Sequence, residues 1–511
     1  MAAWGDLQVD QLRFLAGRDG SEVAYRDLDA DASITFGEWD RQSNRLARSL
    51  VELGVQPGDR VSIYLPSDAA LRWIVSYAAV HKAGAVAVPT NTRLSIPELV
   101  TILGHAEASA IITGRTLQPT ALAVRSEVPS LHTVISAGAG DPDPRDQSAV
   151  LDFDATLSPD ASDIQVPRSV DDLADIMYTS GTTGLPKGVA VRHRNVAMIP
   201  NHEPAWTGGG WIHGAPMFTF AGIAFIYNPM KMGLCGLYLP KFDAVRWFDL
   251  VERERPAMAF LVPAMAELLV AHPRFAEPDL TSLTAVSIGS APLAPQTLLT
   301  LQARLPDATV SNSYGMTEAG PAYIVMPKDQ VAKRIGSVGK PIGGMELKIV
   351  REDDTDCEIR EVGELLTRMP GAQREYYRDD DATASTWTAD GWLRSGDLAY
   401  LDEDGFLYIA GRKKDMIIRG GHNIYPTDIE AVLLEHPEVQ EAAVVGFPHQ
   451  VLGEDVAAFV VRKAGSDLTA DALADFCSER LADYKRPRQL HFVDELPRNA
   501  TGKVMKHRLI V

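Results

Sequence analysis

The sequence predicts an α/β protein: a large N-terminal domain of layered α/β sheets with a small antiparallel β unit, then a small α+β C-terminal domain. Three observations carry this. Strand-like and helix-like runs alternate through the first third, the pattern of a largely parallel sheet covered by helices. Later runs, MELKIV and GELLTR, have no long helix between them, as in an antiparallel unit. Past GRKKDMIIRGGHNIYP the pattern changes again, to a compact helix–strand–strand–helix order. At 511 residues the chain exceeds what one hydrophobic core sustains, so two or more domains are expected.

Each element has a local reason. TFGEWDRQSNRLARSLVELG opens with Thr35 and Glu38 at capping-box spacing and stops at Gly54, which predicts a helix. RVSIYLP reads as a strand, DAALRWIVSYAAVHKAG as a helix and AVAVP as a strand. Ser95 and Glu98 repeat the capping signal before LVTILGHA, and SAIIT follows as a strand. From about Gly138 to Asp172 the chain is rich in Asp, Pro, Ser and Ala without periodicity, as in a long surface connection. TAVSIGS and ATVSNSYG are strand-like. In the last fifth a helix is expected from near Thr427, strands in AAVVGFP and VAAFVVRK, and a helix from Thr469 to Leu481. No internal repeat is present.

Composition excludes several classes. With 46% apolar and 23% charged residues the chain is of the ordinary globular type. A formal charge of -19 argues against a general nucleic-acid or anionic-membrane binder. The N-terminal MAAWGDLQVDQLRF lacks the pattern of a signal peptide. Asn228, Pro229 and Lys231 interrupt the most apolar run, GIAFIYNPMKMGLCGLYLP, which reads as buried core rather than a membrane span. Cys235, Cys357 and Cys477 have neither metal spacing nor a disulfide framework. A cytoplasmic protein is expected. The C-terminal stretch is locally basic, with Lys485, Arg486, Arg488, Arg498, Lys503, Lys506 and Arg508 against Asp483, Asp494 and Glu495.

The stretch YTSGTTGLPKGV, Tyr178 to Val189, has the chemistry of an anion cradle. Glycines let backbone N–H groups approach oxygen, hydroxyls donate, and Lys187 adds charge. It is not a Walker loop: Pro186 precedes the lysine where glycine is required, and Gly188 follows where a hydroxyl is required. With it in order come NSYGMTE (Asn312 to Glu318), GWLRSGDL (Gly391 to Leu398), GRKKDMIIRGGHNIYPTDIE (Gly411 to Glu430) and PRNATGKV (Pro497 to Val504). Together with GAVAVPTNTRL near the start, this set resembles the adenylate-forming superfamily, which includes acyl-CoA synthetases, peptide-synthetase adenylation domains and luciferases. The resemblance covers nearly the whole chain.

That resemblance implies a carboxylate attacking the α-phosphorus of ATP to give acyl-AMP and pyrophosphate, after which a thiol, here coenzyme A, takes the acyl group. Thr179, Ser180, Gly181, Thr182, Thr183, Gly184 and Lys187 would cradle the phosphates. Glu318 would help hold Mg2+, with Thr317 at the α-phosphate. Tyr314 would lie along the adenine face, with Gly289, Ser290, Ala291 and Pro292 lining the other side, and Asn312, Ser313 and Gly315 would also belong to the ATP/AMP site. Asp397 would accept from the ribose hydroxyls, with Arg412 beside it. Lys503 would be the catalytic cation of adenylation. The resemblance further implies a domain of residues 1–414, a mobile domain of residues 415–511, a hinge at Asp415, and a thiol tunnel past Gly420 and Gly421.

Two positions depart from the pattern. In PMFTFAG, Thr219 stands beside Phe218 where many acyl-CoA synthetases carry histidine, with His213 out of register. Two readings stay open: a widened acyl pocket, or a protein that only forms thioesters from acyl-AMP supplied by a separate adenylating enzyme. His422 replaces a frequent glutamate. Trp206, TGGGW, Phe218, Phe220 and YNPMKMG are expected near the acyl pocket, with a core role equally open, and favour a hydrophobic or bulky acid over a diacid. With no carrier domain on the chain, coenzyme A is the expected acceptor; a separate carrier protein is the alternative. A nucleotide-binding sensor is the non-enzymatic alternative, opposed by retention of every motif.

Overall fold

The computed structural model describes residues 4–138, 150–179, 186–197, 199–321, 324–369, 373–498 and 504–511. Two large sheets form the bulk of the N-terminal part. In the first, the order is Glu375–Tyr376, Lys187–Arg192, Leu173–Thr179, Val86–Pro89, Arg60–Tyr64, Ala108–Gly114, Thr133–Ala137 and Leu151–Asp152. Its interior is parallel, and Lys187–Arg192 runs antiparallel to Leu173–Thr179. In the second, Thr309–Ser313, Ala285–Gly289, Met258–Leu261, Gly210–His213, Cys235–Tyr238 and Val23–Asp27 are parallel neighbours, with Ala32–Thr35 antiparallel at the edge.

Helices Gln8–Arg18, Phe36–Glu52, Ala70–Lys82 and Phe220–Lys231 join both sheets through one core, in which Tyr25 and Tyr238 of one sheet share a cluster with Val61 and Ile63 of the other. The capping boxes are as expected. Thr35 Oγ1 accepts from the Glu38 N–H at 3.2 Å while the Thr35 N–H donates to the Glu38 carboxylate at 3.0 Å. Ser95 and Glu98 close the start of Ile96–Ala106 in the same way. The apolar run at 222–240 is buried as a helix and a strand, with Trp39 stacked on Tyr227 at 5.8 Å.

The small antiparallel unit is present: Ile324–Val325, Ser337–Pro341, Leu407–Arg412, Leu393–Leu401, Gly363–Arg368 and Glu346–Val350 pair in that order. The α+β unit follows, with Val439–His449 and Gly453–Arg462 as a long hairpin, Gln489–Phe492 parallel to the latter, and helices Pro426–Leu434 and Ala470–Arg480 packed on it. The connection at 138–172 is less featureless than expected, because Leu151–Asp152 extends the first sheet and Phe153–Thr156 forms a helical turn capped by Asp152. Among the described residues no helix is long and apolar enough to cross a membrane.

Candidate functional site

Strand ends and one tight hairpin build the phosphate side. Thr179 is the last residue of its strand and faces Lys187 across the antiparallel register. Gly315–Met316 and Gly320–Pro321 pair so that Thr317 and Glu318 sit at the tip of the turn, and Gly320, at φ +76°, supplies the left-handed residue that closes it. Thr179 Oγ1 donates to Glu318 Oε1 at 3.4 Å, and the Tyr376 hydroxyl donates to the same oxygen at 3.3 Å. The Lys187 ammonium lies 4.8 Å from the centre of the Tyr376 ring. Thr179, Lys187 and Glu318, far apart in sequence, thus meet around one tyrosine. Ser180, Gly181, Thr182, Thr183 and Gly184 lie outside the described residues.

Glu318 is a hard oxygen donor, and among the described residues no three His, Cys, Asp or Glu side chains gather as a metal cage. That donor set fits magnesium, which favours one or two carboxylates completed by substrate phosphates and water.

The nucleoside side is built on the antiparallel unit. Asp397 and Arg412 face each other across paired strands, and the Arg412 Nε donates to Asp397 Oδ1 at 2.8 Å. The Tyr314 hydroxyl donates to Asp397 Oδ2 at 2.5 Å. Burial and the neighbouring Asp397 charge raise the Tyr314 phenol well above its ordinary value, so it remains a donor. Asp397 is buried, and its two carboxylate oxygens accept from different side chains, the Arg412 guanidinium and the Tyr314 phenol. Asn312 and Ser313 pair in parallel register with Ile288 and Gly289, where an added Cβ would meet the Ser313 carbonyl oxygen at 2.8 Å. Ser290 follows at φ +76°, an uncommon left-handed conformation for a side-chain-bearing residue. The chain turns there with Ser290 and Pro292 exposed.

On the acyl side, Thr219 is the N-cap of Phe220–Lys231. Its Oγ1 accepts from the Gly222 N–H at 3.0 Å and donates to the Pro216 carbonyl at 2.7 Å. His213 is buried, hydrogen-bonded to the Tyr25 hydroxyl at 2.7 Å, and lowered by desolvation to about 3, so it is a neutral core residue. Trp211, Phe225 and Phe260 form an apolar cluster with Ala215 and Leu234, while Phe218 is half-buried. Trp206 takes the packing role that the sequence left open: it lies edge-on against Phe36 at 5.0 Å and donates to Glu22. Much of YNPMKMG likewise belongs to the core, with Lys231 donating to the Ile199 carbonyl at 2.7 Å and to Asn201.

In the C-terminal part, Asp415 ends the turn Lys413–Asp415 between strands Leu407–Arg412 and Ile417–Arg419. Gly420 and Gly421 join Ile417–Arg419 to His422–Ile424 with φ of +57° and +84°, so the tight hairpin itself requires glycine there. His422 stacks on Tyr484 at 4.6 Å. Lys503 lies outside the described residues. The basic segment around it is ion-paired: Arg498 with Glu441 at 2.6 Å, and Lys485 with Asp428 and Lys506 with Glu430 at 2.7 Å.

Two residues of the site escape sequence reasoning. Tyr376 holds Glu318, and Arg374, two positions earlier, donates to the Thr317 carbonyl. The strand that holds Tyr376 and follows Arg374 is two residues long, too short for any periodic signal.

A hydroxyl, a lysine and a carboxylate gathered around one tyrosine, with a buried carboxylate–arginine–tyrosine set on the antiparallel unit, are groups of the kind that a nucleotide-binding protein uses. Comparison with known proteins gives this class its family. Residues 13–377 match the model described as AMP-binding enzyme, and residues 428–503 match AMP-binding enzyme C-terminal domain. The chain is 33% identical over 493 residues to the long-chain-fatty-acid–CoA ligase FadD13 of Mycobacterium tuberculosis (strain ATCC 25618 / H37Rv), covering 94% of each. It is 34% identical over 488 residues to a feruloyl-CoA synthase of Amycolatopsis sp, covering 93% of each. Its fold matches the crystal structure of the anthranilate CoA ligase AuaEII in complex with anthranoyl-AMP, with TM-score 0.87, 26% identity and coverage of 99% of this chain and 97% of that one. The chain belongs to the AMP-binding enzyme family, within the adenylate-forming superfamily, and is an acid–thiol ligase.

Proposed function

We propose that the protein uses MgATP to convert a hydrophobic or bulky carboxylic acid to its acyl-AMP, and then transfers the acyl group to coenzyme A. The observation that carries this reading is the convergence of Thr179, Lys187 and Glu318 around Tyr376, on residues from three separate segments. Both reactants of the first step are anions, so their alignment needs positive charge and fixed donors. Lys187 and the Thr179 hydroxyl face the leaving phosphates, and Asp397 with Arg412 anchors the ribose. Glu318 would hold magnesium, which when bound neutralises phosphate charge. Lys503 would reach the carboxylate and α-phosphate during adenylation, and rotation of residues 415–511 about Asp415 would exchange it for the Gly420–Gly421 hairpin. Attack of the thiol on a mixed anhydride then needs little more than access and a share of thiolate.

The Thr219 hydroxyl is committed to its helix cap, which favours the pocket-widening reading of its histidine-to-threonine difference. Relatives named for long-chain fatty acids, ferulate and anthranilate fit an apolar or aromatic acyl group. The test is product mass across aliphatic, aryl and polycyclic acids and a diacid, with coenzyme A or a phosphopantetheinylated carrier as acceptor. The expected result is acyl-CoA from hydrophobic acids. Preference for the diacid, or product on the carrier alone, would overturn this reading.

A further inference from the structure

We propose that Arg374 is a positioning residue for adenylation, fixing the turn that carries Thr317 and Glu318; this rests on the ATP-dependent reading above. Arg374 is only 3% exposed, and a buried guanidinium is tolerated where its donors find acceptors. Its two terminal nitrogens reach separate segments: Nη1 donates to the Thr317 carbonyl, and Nη2 to the Asn195 carbonyl at 2.9 Å. Asn195 lies in the turn that follows the Lys187–Arg192 strand. The guanidinium carbon lies 5.2 Å from the ring centre of Phe220, the first residue of the helix capped by Thr219. One side chain therefore ties the magnesium-binding turn, the exit of the lysine strand and the start of the acyl-side helix.

The Thr317 carbonyl belongs to the peptide unit that joins Thr317 to Glu318, so holding it sets the direction in which both side chains leave the backbone. Gly320 sits close beneath: a Cβ there would be 3.1 Å from Nη2. Arg374 and Tyr376 are two positions apart, on one face of extended chain, and Tyr376 grips the Glu318 carboxylate. Glu375, on the opposite face, pairs with Arg192 at 2.8 Å and anchors the strand. This edge strand and the residue just before it thus hold both the side chain and the backbone of the turn. Lysine could keep the charge but not the planar, two-ended donor geometry.

The experiment compares wild type, Arg374→Met and Arg374→Lys in the full chain. Melting temperature reports folding, and calorimetric ATP binding over a Mg2+ titration, without acid, reports the turn directly. Pyrophosphate release and thioester formation from supplied acyl-AMP separate the half-reactions. Arg374→Met is expected to raise the Mg2+ midpoint and lower adenylation kcat/KM by roughly 10- to 100-fold, the range of an outer-shell partner. Thioester formation should stay within roughly threefold, since it does not use the held carboxylate. Arg374→Lys should recover part of the loss, and it carries the comparison if the methionine variant does not fold. An unchanged Mg2+ midpoint, or equal loss in both half-reactions, would overturn the proposal. Because the midpoint is read without turnover, a wild type that made no acyl-CoA would count against the proposed function, and Arg374 would still be judged by binding.

Discussion

Tyr376 contributes two separable interactions, and substitution can take them apart. Its hydroxyl donates to Glu318 Oε1 at 3.3 Å and its ring lies 4.8 Å below the Lys187 ammonium. Burial, then the Glu318 charge, raises the phenol pKa, so it stays protonated through the working range and adds no titration of its own. A hydrogen bond to a charged group contributes about 1.5–3 kcal/mol at good geometry, and this one is long, so about 1 kcal/mol is reasonable. Tyr376→Phe should therefore weaken MgATP use roughly fivefold while leaving the ring under Lys187. Tyr376→Leu also removes the cation–π contact, worth about 0.5–1 kcal/mol, a further loss of roughly two- to fivefold. The assay is kcat/KM for MgATP in pyrophosphate release at saturating acid, with the melting temperature as a folding check. Equal activity of both variants and wild type would refute the idea that this tyrosine organises the phosphate side.

Thr219→Val should cost about 1 kcal/mol of cap stability and lower the first melting transition by roughly 1–3 °C. Adenylation should change by less than roughly threefold, whereas a large loss with unchanged melting would mean that the hydroxyl acts on substrate. Lys231 is lowered by burial from 10.5 to about 7. Between those values the unfolded chain binds a proton that the folded chain does not, so this residue makes stability rise with pH across that window. Melts of Lys231→Met from neutral to alkaline pH should rise less steeply than wild type; a parallel curve would contradict the assignment. Lys503→Ala should lose roughly 10²- to 10³-fold in adenylation but little in thioester formation from acyl-AMP, and equal losses would refute its role.

Features set by neighbours in sequence were legible. Thr35 and Glu38 announce a helix because both halves of the capping box lie within one turn, and the structure forms it. The apolar run around Phe225 was read as core from its Asn, Pro and Lys interruptions, and it is buried. The family motifs located Thr179, Glu318, Tyr314, Asp397 and Arg412, and the structure places Glu318 with Thr179, and Asp397 with Tyr314 and Arg412. Contacts made across distance were not legible. Arg374 meets Thr317 across 57 positions and Tyr376 meets Glu318 across 58, the one just before and the other within a two-residue strand defined only by its pairing with Lys187–Arg192. The place of Trp206 stayed open for the same reason: aromatic composition suits ligand or core alike, and only the path of the loop puts it against Phe36. The C-terminal run is basic when counted along the sequence, yet the acids Asp428, Glu430 and Glu441 that pair with it come from elsewhere in the same unit.

Whether this chain performs both half-reactions is decided by acyl-CoA formation, read by mass spectrometry in two arms over one acid panel. One arm supplies free acid, ATP, Mg2+ and coenzyme A; the other supplies preformed acyl-AMP and coenzyme A. The arrangement of Thr179, Lys187, Glu318 and Asp397 predicts product in both arms. Product from acyl-AMP alone would contradict it, and would mean a phosphate site kept without the chemistry it was built for.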